Sequence, residues 1–118
     1  MAPSYSIGNS GTALIEETIH VVLDRTAQLY PERVALVSRW QGIRLTYSEL
    51  SEKVNALAAG ILSLGLGPGD RLGIWAPNCA EWMLTQFATA KVGIILVNIN
   101  PAYRVFELEY VMKKVGCK

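Results

Sequence analysis

The stretch GDRLGIWAPNCAEWMLTQFATAKVGIILVNINPAY, residues Gly69 to Tyr103, decides the fold. After an opening turn, the apolar run Arg71 to Trp75 predicts a strand. A helix is predicted from about Cys79 to Val92, with Gly93 as its stop and Ile94 to Val97 as the next strand. Because a strand, a helix and a second strand follow one another so closely, the stretch predicts a right-handed parallel βαβ crossover.

The residues before this unit predict a helix and a hairpin. Apolar positions at helical spacing favour a first helix from about Leu14 to Tyr30. Two β-rich runs follow, Val34 to Trp40 and Ile43 to Thr46, and they flank the pair Gln41 and Gly42. Since glycine can adopt the positive φ of a tight turn, the pattern predicts an antiparallel hairpin.

Helix caps mark the boundaries of the remaining helices. Thr46 and Glu49 have the spacing of a capping box, so a helix is expected to start there and to end at Gly65. Asn78 and Glu81 repeat the pattern and are expected to cap the helix inside the βαβ unit. A last helix is expected to contain Phe106, Leu108, Tyr110, Val111 and Val115 and to stop at Gly116.

The expected fold class is therefore α/β: a partial α/β sandwich with a βαβ parallel crossover and an N-terminal antiparallel hairpin. Residues 1–13 are rich in Ser, Gly, Asn and Pro and are expected to form a flexible leader. Residues 14–118 are expected to form one body, because 118 residues fit a single modest core.

Composition limits the partners. Hydrophobic residues make up 51% of the chain and the mean hydropathy is +0.25, which is high for a small soluble domain and predicts apolar surface that could mediate self-association. The net charge is +1 and the arginines are scattered, so no basic stripe for nucleic acid is present.

Three further expectations concern membranes, compartment and redox state. The apolar run Val92 to Tyr103 is too short to span a bilayer, which takes about 20 residues, so no transmembrane helix is expected. The N-terminal sequence MAPSYSIGNSGT resembles neither a signal peptide nor an organelle presequence, and a cytoplasmic location is the expectation. Cys79 and Cys117 lack metal or redox spacing and are expected to be reduced structural thiols.

Two glycine-containing patterns could bind phosphate, but neither is complete. Ser10, Gly11 and Thr12 resemble the start of a phosphate-binding loop, yet no second glycine or lysine follows and two carboxylates do. A second set resembles a dinucleotide fingerprint, but a helix precedes it and a strand follows, the reverse of the required order, so turns are the favoured interpretation: Gly65, Gly67, Gly69 and Gly73.

Titratable and aromatic residues also favour structural roles. His20 has Asp24 one helical turn away but no nucleophile, so it is interpreted as a structural or exposed histidine. The carboxylate pairs are interpreted as solvated helix faces: Glu16 with Glu17, and Glu107 with Glu109. The aromatic residues are interpreted as core or edge packing rather than a base-stacking surface: Trp40, Trp75, Trp82, Tyr103 and Tyr110.

Several ordered segments resemble the AMP-forming acyl-CoA synthetases of the adenylate-forming superfamily. They are LTYSEL (Leu45 to Leu50), GDRLGIWAPNCAEW (Gly69 to Trp82), ATAKVGIILVNINPAY, and ELEYVMKKVGCK. The resemblance covers about Ile19 to Lys118 and is greatest to the fatty-acyl-CoA synthetase branch, including its medium-chain members. Val105 departs from the family pattern, which commonly has Thr or Ser ahead of ELE; the lost N-cap is expected to cost about 1 kcal/mol.

The resemblance implies a two-step ligase. ATP and a fatty acid would give an acyl adenylate and pyrophosphate, and coenzyme A would then give the thioester and AMP. The implied parent enzyme uses ATP, Mg²⁺ and coenzyme A, yet the family's triphosphate loop, magnesium ligand, ribose-binding aspartate and adenylation lysine have no counterpart in this chain. The chain is therefore expected to be an inactive part of the N-terminal domain, with no catalytic, cofactor-binding or metal-binding residue and no cofactor bound.

Two alternatives remain open at this point. One is a small Rossmann-like module that binds a nucleotide at the carboxyl end of the strand Arg71 to Trp75, around Ala76, Pro77 and Asn78. Asn78 at a helix start favours this alternative, whereas Pro77 removes an amide donor. The other is a structural or interaction role that depends on exposed apolar surface.

Overall fold

The computed structural model describes Gly8 and residues 11–118. Four helices and four strands follow one another along this part of the chain: α1 (Ile19–Leu29), β1 (Val34–Ser38), β2 (Ile43–Thr46), α2 (Tyr47–Ser63), β3 (Arg71–Trp75), α3 (Ala80–Lys91), β4 (Ile95–Ile99) and α4 (Val105–Val115). The predicted α/β class and the predicted element order are both confirmed.

The βαβ unit forms as expected from its sequence. β3 pairs with β4 in parallel, in a continuous register from Arg71 opposite Ile95 to Trp75 opposite Ile99. Gly93 has φ +73° and ends the turn after α3. The two strands therefore end at the same edge of the sheet, and whatever follows Trp75 and Ile99 lies side by side.

The hairpin is antiparallel as predicted, but its turn is longer. Ser38 is the last paired residue of β1 and lies opposite Ile43, so the connection spans four residues, 39–42, rather than two. The Gly42 amide donates to the Arg39 carbonyl at 3.2 Å, and Gly42 has the positive φ, +67°, that the prediction assigned to it. Trp40 consequently lies in the loop and not in a strand.

The start of α1 was predicted too early. The helix begins at Ile19, with Thr18 extended at φ −73° and ψ 154° as its N-cap. Glu16 and Glu17 therefore precede the helix instead of lying on it, and Glu17 Oε1 accepts from Arg25 Nη1 at 2.6 Å. Leu14 and Ile15 extended the periodic signal before Thr18, but both are largely exposed, and a helical turn there would gain little from burial.

Capping hydrogen bonds are present at the N-termini of α2 and α4. At α2 the predicted capping box is present: Thr46 Oγ1 accepts from the Glu49 amide at 3.3 Å, and Glu49 Oε2 accepts from the Thr46 amide at 2.8 Å. At α4 the N-cap is Arg104, whose amide donates to Glu107 Oε2 at 3.1 Å. The prediction that Val105 occupies the cap position is wrong, since Val105 is the first helical residue.

The core is aliphatic and lies where α1, α2 and α3 meet the strands. Its buried members are Leu23, Leu45, Leu50, Val54, Ala58, Ile61, Ala88 and Ile94. Of the two alternatives predicted for the tryptophans, core or edge packing, the edge applies to Trp40 and Trp75, which are 72% and 50% exposed. Trp40 lies in the hairpin loop and Trp75 is the last residue of β3.

Gly73 has a packing role that the turn interpretation missed. It occupies the middle of β3, and a Cβ atom built on it would lie 2.8 Å from Ile99 Cδ1 and 3.4 Å from Cys117 Sγ. The missing side chain leaves room for Ile99, which is buried beside it. Gly65 and Gly69, in contrast, adopt positive φ in turns, as expected.

Asp70 joins the turn before β3 to Lys118. Its carboxylate accepts from the Gly67 amide at 2.9 Å and lies 2.7 Å from Lys118 Nζ. The hydrogen bond from Lys118 is the main cause, and that from Gly67 the second, of an Asp70 pKa below its ordinary value. Lys118 also donates its amide to the Arg71 carbonyl at 3.0 Å, so the pair holds the end of the chain against β3.

We expect acid to weaken this contact. Since the folded pKa of Asp70 is depressed, its stabilising contribution is present above the pKa of an unfolded aspartate and is lost as pH falls through the folded value. Urea unfolding at a series of pH values should show a shallower acid dependence in Asp70→Asn than in the unaltered chain. Glu52→Gln on α2 is the matched control, and an unchanged acid dependence in Asp70→Asn would contradict the assignment.

Over the described residues, every helix is too short or too polar to cross a membrane.

Candidate functional site

The carboxyl ends of β3 and β4 form an open groove. It is lined by the residues that leave the two strands, together with one side chain from α3: Pro77, Asn78, Trp82, Asn98, Asn100 and Pro101. In open parallel α/β sheets, ligands bind at this edge, beyond the carboxyl ends of the strands. The groove is therefore the first place to test for function.

The β4 side of the groove is a pinned turn. Asn100 Oδ1 accepts from the Ala102 amide at 3.0 Å, and the Asn100 carbonyl accepts from the Tyr103 amide at 3.0 Å. Pro101 fixes φ inside this turn. The Asn100 side chain is thus committed to its own backbone, which leaves Asn78 and Asn98 as the exposed amides of the groove.

On the β3 side of the groove, Gln41 from the hairpin loop forms hydrogen bonds to the start of α3. Gln41 Oε1 accepts from the Ala80 amide at 2.8 Å and from Ser38 Oγ at 2.7 Å, while Gln41 Nε2 donates to Glu81 Oε2 at 2.8 Å. The last bond is the main cause of a Glu81 pKa below its ordinary value. The hairpin loop therefore supplies hydrogen-bond partners to the Ala80 amide and the Glu81 carboxylate in the first turn of α3.

This arrangement corrects the predicted cap. Asn78 was expected to cap α3, but the N-cap is Cys79, which makes no side-chain cap hydrogen bond. Instead, Gln41, which is 39 residues away in sequence, accepts the hydrogen bond from the Ala80 amide. A local spacing rule cannot find such a partner, because only the packing of the hairpin against α3 brings it there.

We expect Gln41→Ala to lower the free energy of unfolding by about 1–2 kcal/mol, since it leaves the Ala80 amide at the helix start without its partner. Gln28→Ala, at an exposed position on α1, should change it by less than about 0.5 kcal/mol. Chemical denaturation monitored by circular dichroism measures both. Equal effects of the two substitutions would show that Gln41 does not stabilise α3.

The groove is unsuited to a triphosphate. None of its lining residues is charged, and Pro77 offers no amide to an anion. Phosphates need cations or several converging amides. What the groove does offer is a pair of exposed amide side chains beside an indole.

The other glycine-containing hypothesis finds no support in the part that can be described. Ser10 lies outside the described residues; Gly11 and Thr12 are exposed, in a segment of residues 11–18 without helix or strand. Gly67 lies in the turn before β3, where its amide donates to Asp70. A phosphate-binding loop that leads from a strand into a helix is formed by neither set of glycines.

His20 and Asp24 do not form a pair. His20 Nδ1 lies 3.2 Å from Thr18 Oγ1, and both Asp24 carboxylate oxygens accept from Lys91 Nζ at 2.8 Å. Lys91 closes α3 and Asp24 lies on α1, so the ion pair joins two helices of the core. The interpretation of His20 as structural or exposed stays a prediction, and Lys91 is a partner of Asp24 that the sequence did not reveal.

The acidic pair on α4 forms local contacts. Glu107 caps the helix, as described above, and Glu109 forms an ion pair with Lys113. Cys79 and Cys117 are both free thiols, as expected. Within the described part of the chain, no three His, Cys, Asp or Glu side chains lie close enough together to hold a metal ion.

With this geometry in place, the family can be assigned. A family model described as AMP-binding enzyme matches residues 23–118. The chain belongs to the AMP-binding enzyme family. Its capped α2, its βαβ unit and the turn at Pro101 are thus elements of an AMP-binding domain, which confirms the resemblance that the sequence motifs indicated.

Curated members of the family are similar over almost the whole chain. The mitochondrial medium-chain acyl-CoA ligase ACSF2 of Homo sapiens is 53% identical over 115 residues, which are 98% of this chain and 19% of that protein. The putative acyl-CoA synthetase YngI of Bacillus subtilis is 43% identical over 101 residues, 86% of this chain and 18% of that protein. The chain spans about one fifth of the length of these relatives.

Solved structures of adenylate-forming enzymes share the fold. The N-terminal domain of FACL13 from Mycobacterium tuberculosis, crystallised with an inhibitor, matches with a TM-score of 0.83 and 28% identity over 86% of this chain and 25% of that one. A fatty acyl CoA synthetase of the same organism matches with a TM-score of 0.82 and 28% identity over 86% of this chain and 20% of that one. The expected placement in the N-terminal domain of an adenylate-forming enzyme is confirmed.

Proposed function

We propose that this chain supplies part of the N-terminal domain of an ATP-dependent, AMP-forming acyl-CoA synthetase that acts on medium-chain fatty acids. The observation that carries the proposal is the 52–54% identity to mammalian medium-chain acyl-CoA ligases over 115 residues. The matched region covers 98% of this chain, so it includes both the groove and the core.

The proposed reaction has two steps. A carboxylate oxygen of the fatty acid bonds to the α-phosphorus of ATP and pyrophosphate leaves, which gives the acyl adenylate. The sulfur of coenzyme A then bonds to the acyl carbon, and AMP leaves with the electron pair of the broken carbon–oxygen bond. Activation is needed because a carboxylate oxygen is a poor leaving group, whereas AMP is a good one.

The role proposed for this chain is positional. Transfer of a phosphoryl-linked group depends on cations and amides placed around the triphosphate. The groove offers no such charge, and the described residues bring no three potential metal ligands together. We therefore assign no catalytic, cofactor-binding or metal-binding residue here, and we place the contacts to ATP, Mg²⁺ and coenzyme A in the remainder of the synthetase.

A chimera tests the proposal directly. Residues 23–118 of this chain would replace the matching segment of a full-length medium-chain acyl-CoA ligase, and thioester formation from octanoate, ATP and coenzyme A would be measured. We expect activity within about tenfold of the parent ligase, because this chain is 53% identical to such a ligase over 115 residues. Ala88→Glu in the chimera is the control, since Ala88 is fully buried and a charge there should abolish folding and activity. A well-folded chimera without activity would refute the proposal.

The 118-residue chain by itself is expected to be inactive. ATP–pyrophosphate exchange with a fatty acid should not exceed a no-enzyme control. Exchange above that control would overturn the view that the reactive groups lie elsewhere.

The second candidate, a nucleotide-binding module, has one observation in its favour: Asn78 is exposed in the groove at the carboxyl edge of the sheet. Isothermal titration calorimetry with AMP or ATP distinguishes the nucleotide-binding module from the synthetase part. Saturable binding that is lost in Asn78→Leu would support the module. We expect no saturable binding, since no cation lines the groove.

The cytoplasmic location expected from the N-terminal sequence stays a prediction. The mammalian relatives carry the description mitochondrial in their names. Microscopy of a fusion with a fluorescent protein at the C-terminus tests it, with diffuse cytoplasmic signal as the expected result and mitochondrial signal as the contrary one.

A further inference from the structure

We draw no further inference here: the strongest candidate, the groove at the carboxyl ends of β3 and β4 that Asn78, Trp82 and Asn98 line, belongs to the site already described, and, since the chain spans about one fifth of the length of its relatives, nothing in the described residues shows what covers it.

Discussion

Leu50→Ala is expected to lower the free energy of unfolding by about 3 kcal/mol. Leu50 lies in the first turns of α2, is 3% exposed, and belongs to the cluster that joins α1, α2, α3 and the hairpin. Removing its branched end deletes contacts with several elements at once and leaves a cavity that the backbone of the capped helix cannot close. For a chain of this size such a loss is a large part of the total stability.

An exposed leucine at the other end of α2 provides the control. Leu64, the C-cap of α2, is 78% exposed, and Leu64→Ala should change the free energy of unfolding by less than about 0.5 kcal/mol. Both variants would be measured by urea denaturation with tryptophan fluorescence and circular dichroism. A Leu50→Ala effect as small as that of Leu64→Ala would mean that the core does not close around α2.

Gly93→Ala is expected to lower the free energy of unfolding by about 2 kcal/mol, for two reasons that can be measured separately. Gly93 has φ +73°, which a residue with a Cβ adopts only with strain, and the added Cβ would lie 3.3 Å from Pro68 Cβ. The turn before β3 and the turn before β4 are also joined by a hydrogen bond from the Gly69 amide to the Gly93 carbonyl at 2.9 Å. Movement of Gly93 away from Pro68 would therefore disturb the entry into both parallel strands.

Gly65→Ala separates the two reasons. Gly65 has a comparable φ of +85°, but no atom lies within 4 Å of the Cβ position, so only the backbone strain of about 1 kcal/mol is expected. The measured difference between the two alanine variants gives the cost of the contact with Pro68. If Gly65→Ala proved as costly as Gly93→Ala, the turn-to-turn packing would contribute nothing.

Much of the fold was predictable because its signals are local. The capping box at Thr46, the glycine stops at Gly65, Gly93 and Gly116, and the apolar runs of β3 and β4 each depend on a few neighbouring residues. The same dependence on local signals made the predicted start of α1 too early. Leu14 and Ile15 continue the helical spacing before Thr18, and spacing alone does not reveal that both side chains stay largely exposed.

The candidate site was only half predictable. Its location follows from the parallel order of β3 and β4, which the sequence indicated, and Pro77 and Asn78 were named in advance. The support of the groove by Gln41, and the ion pair of Lys91 with Asp24, connect residues 39 and 67 positions apart. Such partners carry no mark in the sequence, since any polar side chain at those positions could point to water instead.

The amino-acid sequence by itself determined the family, the order of helices and strands, and the absence of the residue patterns that bind a triphosphate, because each is encoded in short segments with fixed spacing. Tertiary structure alone decided which side chains are covered. It buried aliphatic residues of α1, α2 and α3, and it left Trp40, Trp75 and Phe106 exposed. Burial depends on which elements meet in space, and that is set by the packing of the whole chain rather than by any one segment.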